Sequence, residues 1–143
     1  MNLLEQKYER WNSRDFEGAV ACYTEDGKHH DQTLGLTWTP KEFAEFTKMM
    51  FDVIPELRFE IVNSFQTDSF VAGELAMYGR FENDIGDVKA TGKPLKVHIA
   101  TFGEIRDGKI HRMTDYYNKL ELTGILGRQD FDTWAEFCGR LPL

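Results

Sequence analysis

The stretch that decides the fold reads LKVHIATFGEIRDGKIHRMTDYY and covers residues 95–117. Its first half alternates apolar and polar side chains, which predicts a β-strand with one buried face. Thr101 falls on the apolar side of that alternation. Asp107–Gly108 is a dipeptide typical of a two-residue hairpin turn, so we expect a second, antiparallel strand from about 109 to 117.

Upstream of this hairpin, the pattern predicts helices first and then two more strands. Segments 4–11 and 16–23 have the apolar spacing of short amphipathic helices. Thr39–Pro40–Lys41–Glu42 combines a cap, a proline at the first helical position and a capping-box glutamate, which predicts a third helix. Residues 57–65 and 71–81 alternate as strands do. This order predicts an α+β fold, with N-terminal helices packed on a curved antiparallel or mixed sheet around one apolar cavity.

Composition excludes several classes of protein. The chain has 143 residues, which suggests one domain, and its formal net charge of -7 argues against binding to nucleic acid or to anionic membranes. No apolar run approaches the ~18 residues of a membrane span, and the N-terminus lacks a signal-peptide pattern. Cys22 and Cys138 lie far apart and form no CxxC motif. We therefore expect a cytoplasmic protein with reduced thiols.

Few short motifs of known chemistry are present. The sequence contains no GxGxxG, P-loop, HExxH or GxSxG motif, which argues against a Rossmann enzyme, a kinase and an α/β-hydrolase. His29–His30–Asp31 has the composition of a metal site. Adjacent residues on a strand point to opposite faces, however, so the two histidines are poorly placed to share one ion. We expect no metal here and, at most, one histidine that lines the cavity.

Asp115 is the most informative charged residue because it lies in the middle of a predicted strand, where a carboxylate is unfavourable. In a dry pocket its pKa would rise, and the group could then exchange a proton with a ligand near neutral pH. The alternative is an aspartate on the outer face of the sheet, paired with a lysine or arginine. The pattern of residues alone does not choose between these two placements.

Four segments, taken in order, resemble one known family. They are IPELRFEI at 54–61, TGKP at 91–94, IRDGKI at 105–110 and MTDYYN at 113–118, the last followed by Leu126–Gly127. The sequence is similar to SnoaL-like polyketide cyclases over roughly residues 5–127. The resemblance implies the nuclear-transport-factor-2-like cone and a homodimer. We expect a SnoaL-like domain at 1–127, with 128–143 as a C-terminal helical extension of the same domain.

The resemblance also implies a chemistry. The cyclases of this family close a ring by intramolecular aldol condensation of an aromatic polyketide ester, and they use neither metal nor cofactor. An aspartate that matches Asp115 carries the proton. The implied function is a cofactor-independent acid–base enzyme, with a cyclase as the first hypothesis and an isomerase, a dehydratase or other lyase, or an epoxide hydrolase as alternatives. Its ligand would be small and hydrophobic, polycyclic or terpenoid-like. The alternative is a non-catalytic module that binds such a ligand or serves dimerisation.

The sequence departs from the family's pattern at two places and agrees with it at a third. The cyclases have a histidine where this chain has Thr101, and His98, three residues earlier, points outward by alternation. Asn118 takes the place of an acidic residue and cannot titrate. His30 matches a histidine that the family tends to have after the second helix, so we interpret it, with Asp115, as a candidate catalytic residue.

One register question decides the placement of Asp115. A regular two-residue turn would pair Ala100 with Asp115 and send the carboxylate outward. A one-residue bulge in the hairpin would turn it into the cavity beside Thr101, and bulges are common next to active sites. The resemblance favours the bulge. The candidate substrate-binding residues are Trp38, Phe46, Met50, Phe59, Met77, Phe81, Thr101, Tyr117 and Asn118.

Overall fold

A computed structural model describes residues 1–86 and 88–123. Its helices are α1 (Leu3–Asn12), α2 (Phe16–Val20), α3 (Pro40–Val53) and α4 (Lys119–Thr123). Its strands are β1 (Tyr23–Asp31), β2 (Leu36–Trp38), β3 (Arg58–Gln66), β4 (Phe70–Arg80), β5 (Pro94–Arg106) and β6 (Lys109–Tyr117). The predicted α+β fold is confirmed.

The six strands form one mixed sheet in the order β2-β1-β6-β5-β4-β3. All neighbours are antiparallel except β1 and β6, which run parallel. Helix α1 packs on β3 and β4, and α3 packs on β1 and β2. The helices therefore cover the inner face of the sheet, and the core lies between the two layers.

Local sequence signals place the helix starts. Asn2 and Glu5 form a capping box at the start of α1. Thr39 and Glu42 form the predicted one at α3, where the Glu42 amide donates to Thr39 Oγ1 at 3.2 Å. The second helix is shorter than its apolar period suggested. It ends at Val20, and Tyr23 instead begins β1.

The hairpin between β5 and β6 has the predicted turn and the predicted bulge. Asp107 and Gly108 both adopt left-handed conformations, with φ of 52° and 73°, as a type I′ turn requires. The register shifts by one residue just before the turn, between the pairs Ile105–Ile110 and Glu104–Arg112. His111 is the extra residue on β6. Beyond this bulge Thr101 pairs with Asp115, so the carboxylate faces inward.

Some sequence-based expectations concern parts of the chain outside the described residues. These are the proposed C-terminal extension at 128–143 and the pairing state of Cys138. Cys22 is a buried free thiol. Within residues 1–86 and 88–123, no helix is both long and apolar enough to cross a membrane.

Candidate active site

A cavity between the helices and the inner sheet face is the candidate site. It contains about 640 Å³ of space, open solvent at its mouth included. Its wall in the described part of the chain has two carboxylates and no basic side chain. The lining residues are Tyr8, Trp11, Asp31, Leu34, Phe43, Phe46, Thr47, Met50, Leu57, Phe59, Met77, Val97, Ile99, Asp115, Tyr117 and Leu122. Such a wall, mostly apolar with a few convergent polar groups, is typical of small-molecule sites.

The structure places five of the nine residues expected to bind substrate on this wall: Phe46, Met50, Phe59, Met77 and Tyr117. The other four lie elsewhere. Trp38 is buried behind the wall and stacks on Phe46, with ring centroids 4.9 Å apart. Phe81 is a core residue with no exposed surface. Asn118 accepts a hydrogen bond from the Leu120 amide in α4.

Thr101, the fourth expected substrate-binding residue that does not line the cavity, forms a hydrogen bond with Asp115. Its hydroxyl donates to Asp115 Oδ1 at 2.7 Å, and the threonine has no exposed surface. On the other oxygen, His29 Nε2 donates to Asp115 Oδ2 at 2.8 Å. His29 Nδ1 in turn lies 2.8 Å from the Tyr23 hydroxyl. With Nε2 protonated, Nδ1 accepts from Tyr23, so the hydrogen bonds run from Tyr23 through His29 to Asp115.

These contacts reverse the expected direction of the Asp115 pKa. Burial by itself raises the pKa of this carboxyl, as the sequence suggested. The charge and hydrogen bond of His29, the Lys7 ammonium and the Thr101 hydroxyl together outweigh burial and lower the pKa to about 2. Burial lowers the pKa of His29. At neutral pH the pair is therefore an aspartate next to a neutral imidazole.

His29, rather than His30, is the histidine of the site. His29 and Asp31 point inward from β1, while His30 lies on the opposite face. There it bonds Thr37 Oγ1 at 2.6 Å and Gln32 Oε1 at 3.1 Å, and it does not line the cavity. We therefore replace His30 with His29 as the histidine that contacts Asp115. The alternation of β1 separates the two histidines, but only the sheet register shows which one faces inward.

Asp31 is a second inward carboxylate that the sequence reasoning missed. It pairs with Asp115 across the parallel strands, so both side chains lie on the same face. Tyr117 Oη donates to Asp31 Oδ2 at 2.8 Å, and the Leu34 amide donates to Oδ1 at 2.8 Å. Burial raises the pKa of Asp31 to about 6, against the lowering effect of these hydrogen bonds. Its place two residues after His29 was the available signal.

The cavity is flanked by a buried cation. Lys7 on α1 has no exposed surface, and its Nζ lies 4.8 Å from the centroid of the Tyr8 ring and 5.5 Å from that of Tyr23. Burial lowers the pKa of Lys7 to about 8, although the negative charge of Asp115 opposes this shift. The cluster of Lys7, His29 and Asp115 therefore has no net charge at neutral pH.

His98, which the alternation of β5 placed outside, points to solvent and bonds Glu121 at 3.0 Å. Among residues 1–86 and 88–123, no group of three or more histidine, cysteine or acidic side chains is arranged to hold a metal ion. The site's chemistry, as far as these residues show it, consists of proton donors and acceptors on an apolar wall.

With this geometry established, comparison with known sequences identifies the family. A sequence profile of the SnoaL-like polyketide cyclases matches residues 2–124. The chain belongs to that family. The match includes both inward carboxylates and every residue that lines the cavity. No curated protein matches this SnoaL-like chain by sequence.

Solved structures agree on the fold of this SnoaL-like protein. A protein from Catenulispora acidiphila with a ketosteroid isomerase-like fold superposes with a TM-score of 0.75 at 18% identity, over 91% of this chain and 95% of that chain. A protein from Xanthomonas campestris assigned as a polyketide cyclase gives 0.72 at 26% identity, over 87% and 93%. TerC, co-crystallised with polyporic acid, gives 0.69 at 16%, over 88% and 96%. The fold is thus the nuclear-transport-factor-2-like, ketosteroid isomerase-like cone.

The contacts of Asp115 bear on one departure noted in the sequence. In the sequence analysis, the resemblance implied a histidine at the position of Thr101. Here Thr101 donates to one oxygen of Asp115, and His29 donates to the other from the neighbouring strand β1. In this SnoaL-like chain the imidazole that contacts the aspartate therefore comes from β1, and β5 contributes the Thr101 hydroxyl.

Proposed function

We propose that this SnoaL-like protein is an acid–base enzyme acting on a hydrophobic small molecule, with ring closure by intramolecular aldol condensation as its reaction. Isomerase and dehydratase chemistry needs the same groups. The observation that carries the proposal is the pair Asp31 and Asp115, two inward carboxylates on adjacent strands with pKa values shifted in opposite directions. Such divergent pairs divide the roles of acid and base between two residues.

In the proposed reaction, Asp115 is the base. It is ionised at any working pH because its pKa is about 2, and it lines the cavity. Its carboxylate takes the proton from the carbon next to a ligand carbonyl, and the resulting enolate attacks a second carbonyl carbon of the same molecule. Asp31, with a pKa of about 6, gives its proton to the oxygen of the second carbonyl.

The composition of the cavity wall favours a polycyclic ligand. Aromatic and aliphatic side chains form most of it, and polar groups are confined to a few positions. TerC, which has the same fold, was co-crystallised with polyporic acid. Because of that observation on TerC, aromatic ketones and quinones are the first ligands to test here. The proposed substrate class is therefore a polycyclic or polyketide-like carbonyl compound.

The experiment begins with a thermal-shift screen of polycyclic ketones, because a bound ligand raises the melting temperature by mass action. Ligands that bind are then assayed for turnover with the wild type, Asp115→Asn, and Asp68→Asn as a control at an exposed aspartate. Asp115→Asn should lower turnover by about 10²–10⁴-fold while leaving the thermal shift in place. Equal turnover in Asp115→Asn and Asp68→Asn would contradict the proposal.

One observation favours a second function, that of a non-catalytic binding module. Asp115 is held by Thr101 and His29 on both oxygens, and a carboxylate with a pKa of about 2 is a weak base. In this alternative the buried aspartate only organises the wall of a ligand site. Ligands would then raise the melting temperature without being converted, in the wild type as in Asp115→Asn.

We also propose that the protein forms a homodimer through the outer face of its sheet. Phe65 on β3 and Phe102 on β5 both pair with Ala72 on the strand between them, β4, so the three side chains form one cross-strand row on that face. Phe65 is 68% exposed and Phe102 is 61% exposed. Tyr116 contacts the Phe102 ring edge-on at 6.4 Å and is itself half-exposed. Apolar exposure of this kind marks an interaction surface.

A further inference from the structure

Two buried donors on helix α1 have no partner. Within the described part of the chain, Lys7 Nζ and Trp11 Nε1 are the buried side-chain nitrogen or oxygen atoms that make no hydrogen bond. The two residues are 0% and 1% exposed. They are four positions apart on a regular helix, so their side chains lie on the same face, one turn apart. Buried donors are normally satisfied, and each exception needs an explanation.

One donor lies on the wall of the cavity, and the other lies against aromatic rings of that wall. Trp11 is part of the cavity wall, as are Tyr8 and Phe43. Lys7 Nζ lies 4.8 Å from the centroid of the Tyr8 ring and 5.4 Å from that of Phe43. Trp11 contacts Phe43 edge-on, with centroids 5.8 Å apart. Phe43 therefore touches both residues, and its ring also stacks on His29 at 3.6 Å.

Packing does not account for these two donors. The aromatic faces around Lys7 compensate part of its charge, but they accept no regular hydrogen bond. The ring of Trp11 packs on Phe16 and Phe43, and a phenylalanine could make similar contacts without burying an N–H group. A missing acceptor explains both observations, because an oxygen atom supplied by a ligand would satisfy the two donors together.

We propose that Lys7 and Trp11 form an oxyanion site, in which Lys7 Nζ and Trp11 Nε1 donate to the same ligand oxygen. The inference rests on the proposed function. It assigns hydrogen-bond donors to the oxygen of the first carbonyl, whereas Asp31 gives its proton to the oxygen of the second. When Asp115 takes the proton, the C–H bond breaks, an O–H bond forms on Asp115, and the electron pair moves to the carbonyl oxygen. That oxygen becomes the enolate, which Lys7 and Trp11 stabilise by donors placed in advance.

The charge distribution calls for such a cation. The described wall of the cavity has two carboxyl groups and no basic side chain, so no cation on the wall itself stabilises an enolate. Among the described residues, Lys7 is the buried lysine or arginine, and its charge interacts with that of Asp115. Without it, the negative charge that develops on the ligand would have no cation close to the described part of the wall.

The test uses two unreactive probes that differ by one oxygen, 2-naphthol and naphthalene. Their dissociation constants are measured by fluorescence for the wild type, Lys7→Met, Trp11→Phe, and Lys41→Met as a control at an exposed lysine. Lys7→Met and Trp11→Phe should each weaken 2-naphthol binding by on the order of tenfold and leave naphthalene binding within about twofold. Lys41→Met should change neither constant.

Three results would overturn the inference. The first is an equal loss for both probes, which would mean that the residues only pack. The second is unchanged binding of 2-naphthol to the variants, and the third is a wild type that binds naphthalene as tightly as 2-naphthol or binds neither probe. Lys7→Met decides the matter alone if Trp11→Phe does not fold. Because no probe reacts, the outcome is independent of the turnover of Asp115→Asn.

Discussion

His29 Nε2 donates to Asp115 Oδ2 across 2.8 Å, although the two residues are 86 positions apart in the chain. The parallel pairing of β1 with β6 makes this contact possible, since it sets His29 opposite Met113, two residues before Asp115 on the same face. Together with the Thr101 hydroxyl, which donates to Oδ1, this bond satisfies both oxygens of the buried carboxylate. Its stability and its chemistry both depend on that pairing.

Replacing His29 with leucine should cost about 3 kcal/mol of unfolding free energy at pH 7, because it leaves Asp115 Oδ2 buried without its donor.

The contribution of Asp115 to the pH dependence of the unfolding free energy should also change sign in this variant. In the wild type the pKa of Asp115 lies below its unfolded value, so its stabilising contribution is lost as the pH falls from about 4 to 2. In His29→Leu the pKa of Asp115 should exceed the unfolded value, and stability should rise as the pH falls towards 4. Urea unfolding of both proteins at several pH values measures the two effects. If the unfolding free energy of His29→Leu followed that of the wild type in parallel across this pH range, the predicted change of sign would be wrong.

The pKa of Asp31 should respond in opposite directions to two neighbours. Tyr117 lowers it by a hydrogen bond and Asp115 raises it by its charge, around a value of about 6. Tyr117→Phe should therefore raise the pKa of Asp31, and Asp115→Asn should lower it. Carboxyl-carbon NMR titration of labelled aspartate gives both values directly. A shift in the same direction for both variants would show that the two groups do not act on Asp31 separately.

The pH dependence of turnover should report Asp31 as the proton donor. Since its pKa is about 6, the protonated fraction and the rate should fall about tenfold for each pH unit above that value. Asp31→Asn should be slower at pH 5 and lose this limb of the profile, whereas ligand binding persists. A wild-type rate that is constant from pH 5 to pH 8 would remove Asp31 from the mechanism.

Lys7→Met should make the protein more stable, by about 2 kcal/mol at pH 7, because the lowered pKa of Lys7 means that burial of its ammonium costs more than the attraction to Asp115 returns. The pKa of Lys7 is about 8 in the folded protein, against the ordinary value of 10.5 that we take for the unfolded chain. The folded wild type thus binds fewer protons between these values, and its stability should gain relative to Lys7→Met as the pH rises from 8 to 10.5. Thermal unfolding of both proteins across this range measures the difference. A less stable variant at pH 7 would show that the cation contributes to folding.

Phe102→Glu should convert the proposed homodimer into a monomer, since it adds a charge to the exposed apolar row on the outer sheet face. Gln6→Glu adds the same charge at an exposed position on α1 and should leave the dimer intact. Sedimentation velocity of the two variants gives the mass directly. A wild type that sediments as a monomer, or a Phe102→Glu variant that remains dimeric, would rule out this surface.

Local sequence signals were sufficient for most of the architecture. Capping boxes, the period of two in the strands and the Asp107–Gly108 turn depend on residues close together in the chain, and the structure has each of them. The predicted bulge brought Asp115 inward, where the resemblance to the SnoaL-like cyclases had implied it should lie. The same kind of signal failed at Tyr23, since the apolar spacing that suited a helix also suits the start of β1.

The sequence by itself determined the α+β order, the family and the importance of Asp115. Only the tertiary structure decided that His29 rather than His30 contacts it, that Asp31 is a second inward carboxylate, and that the pKa of Asp115 falls instead of rising. The physical reason is that each of these depends on a parallel pairing between strands about 85 residues apart. Alternation within one strand separates two faces, but which face meets the cavity is settled by the neighbouring strand.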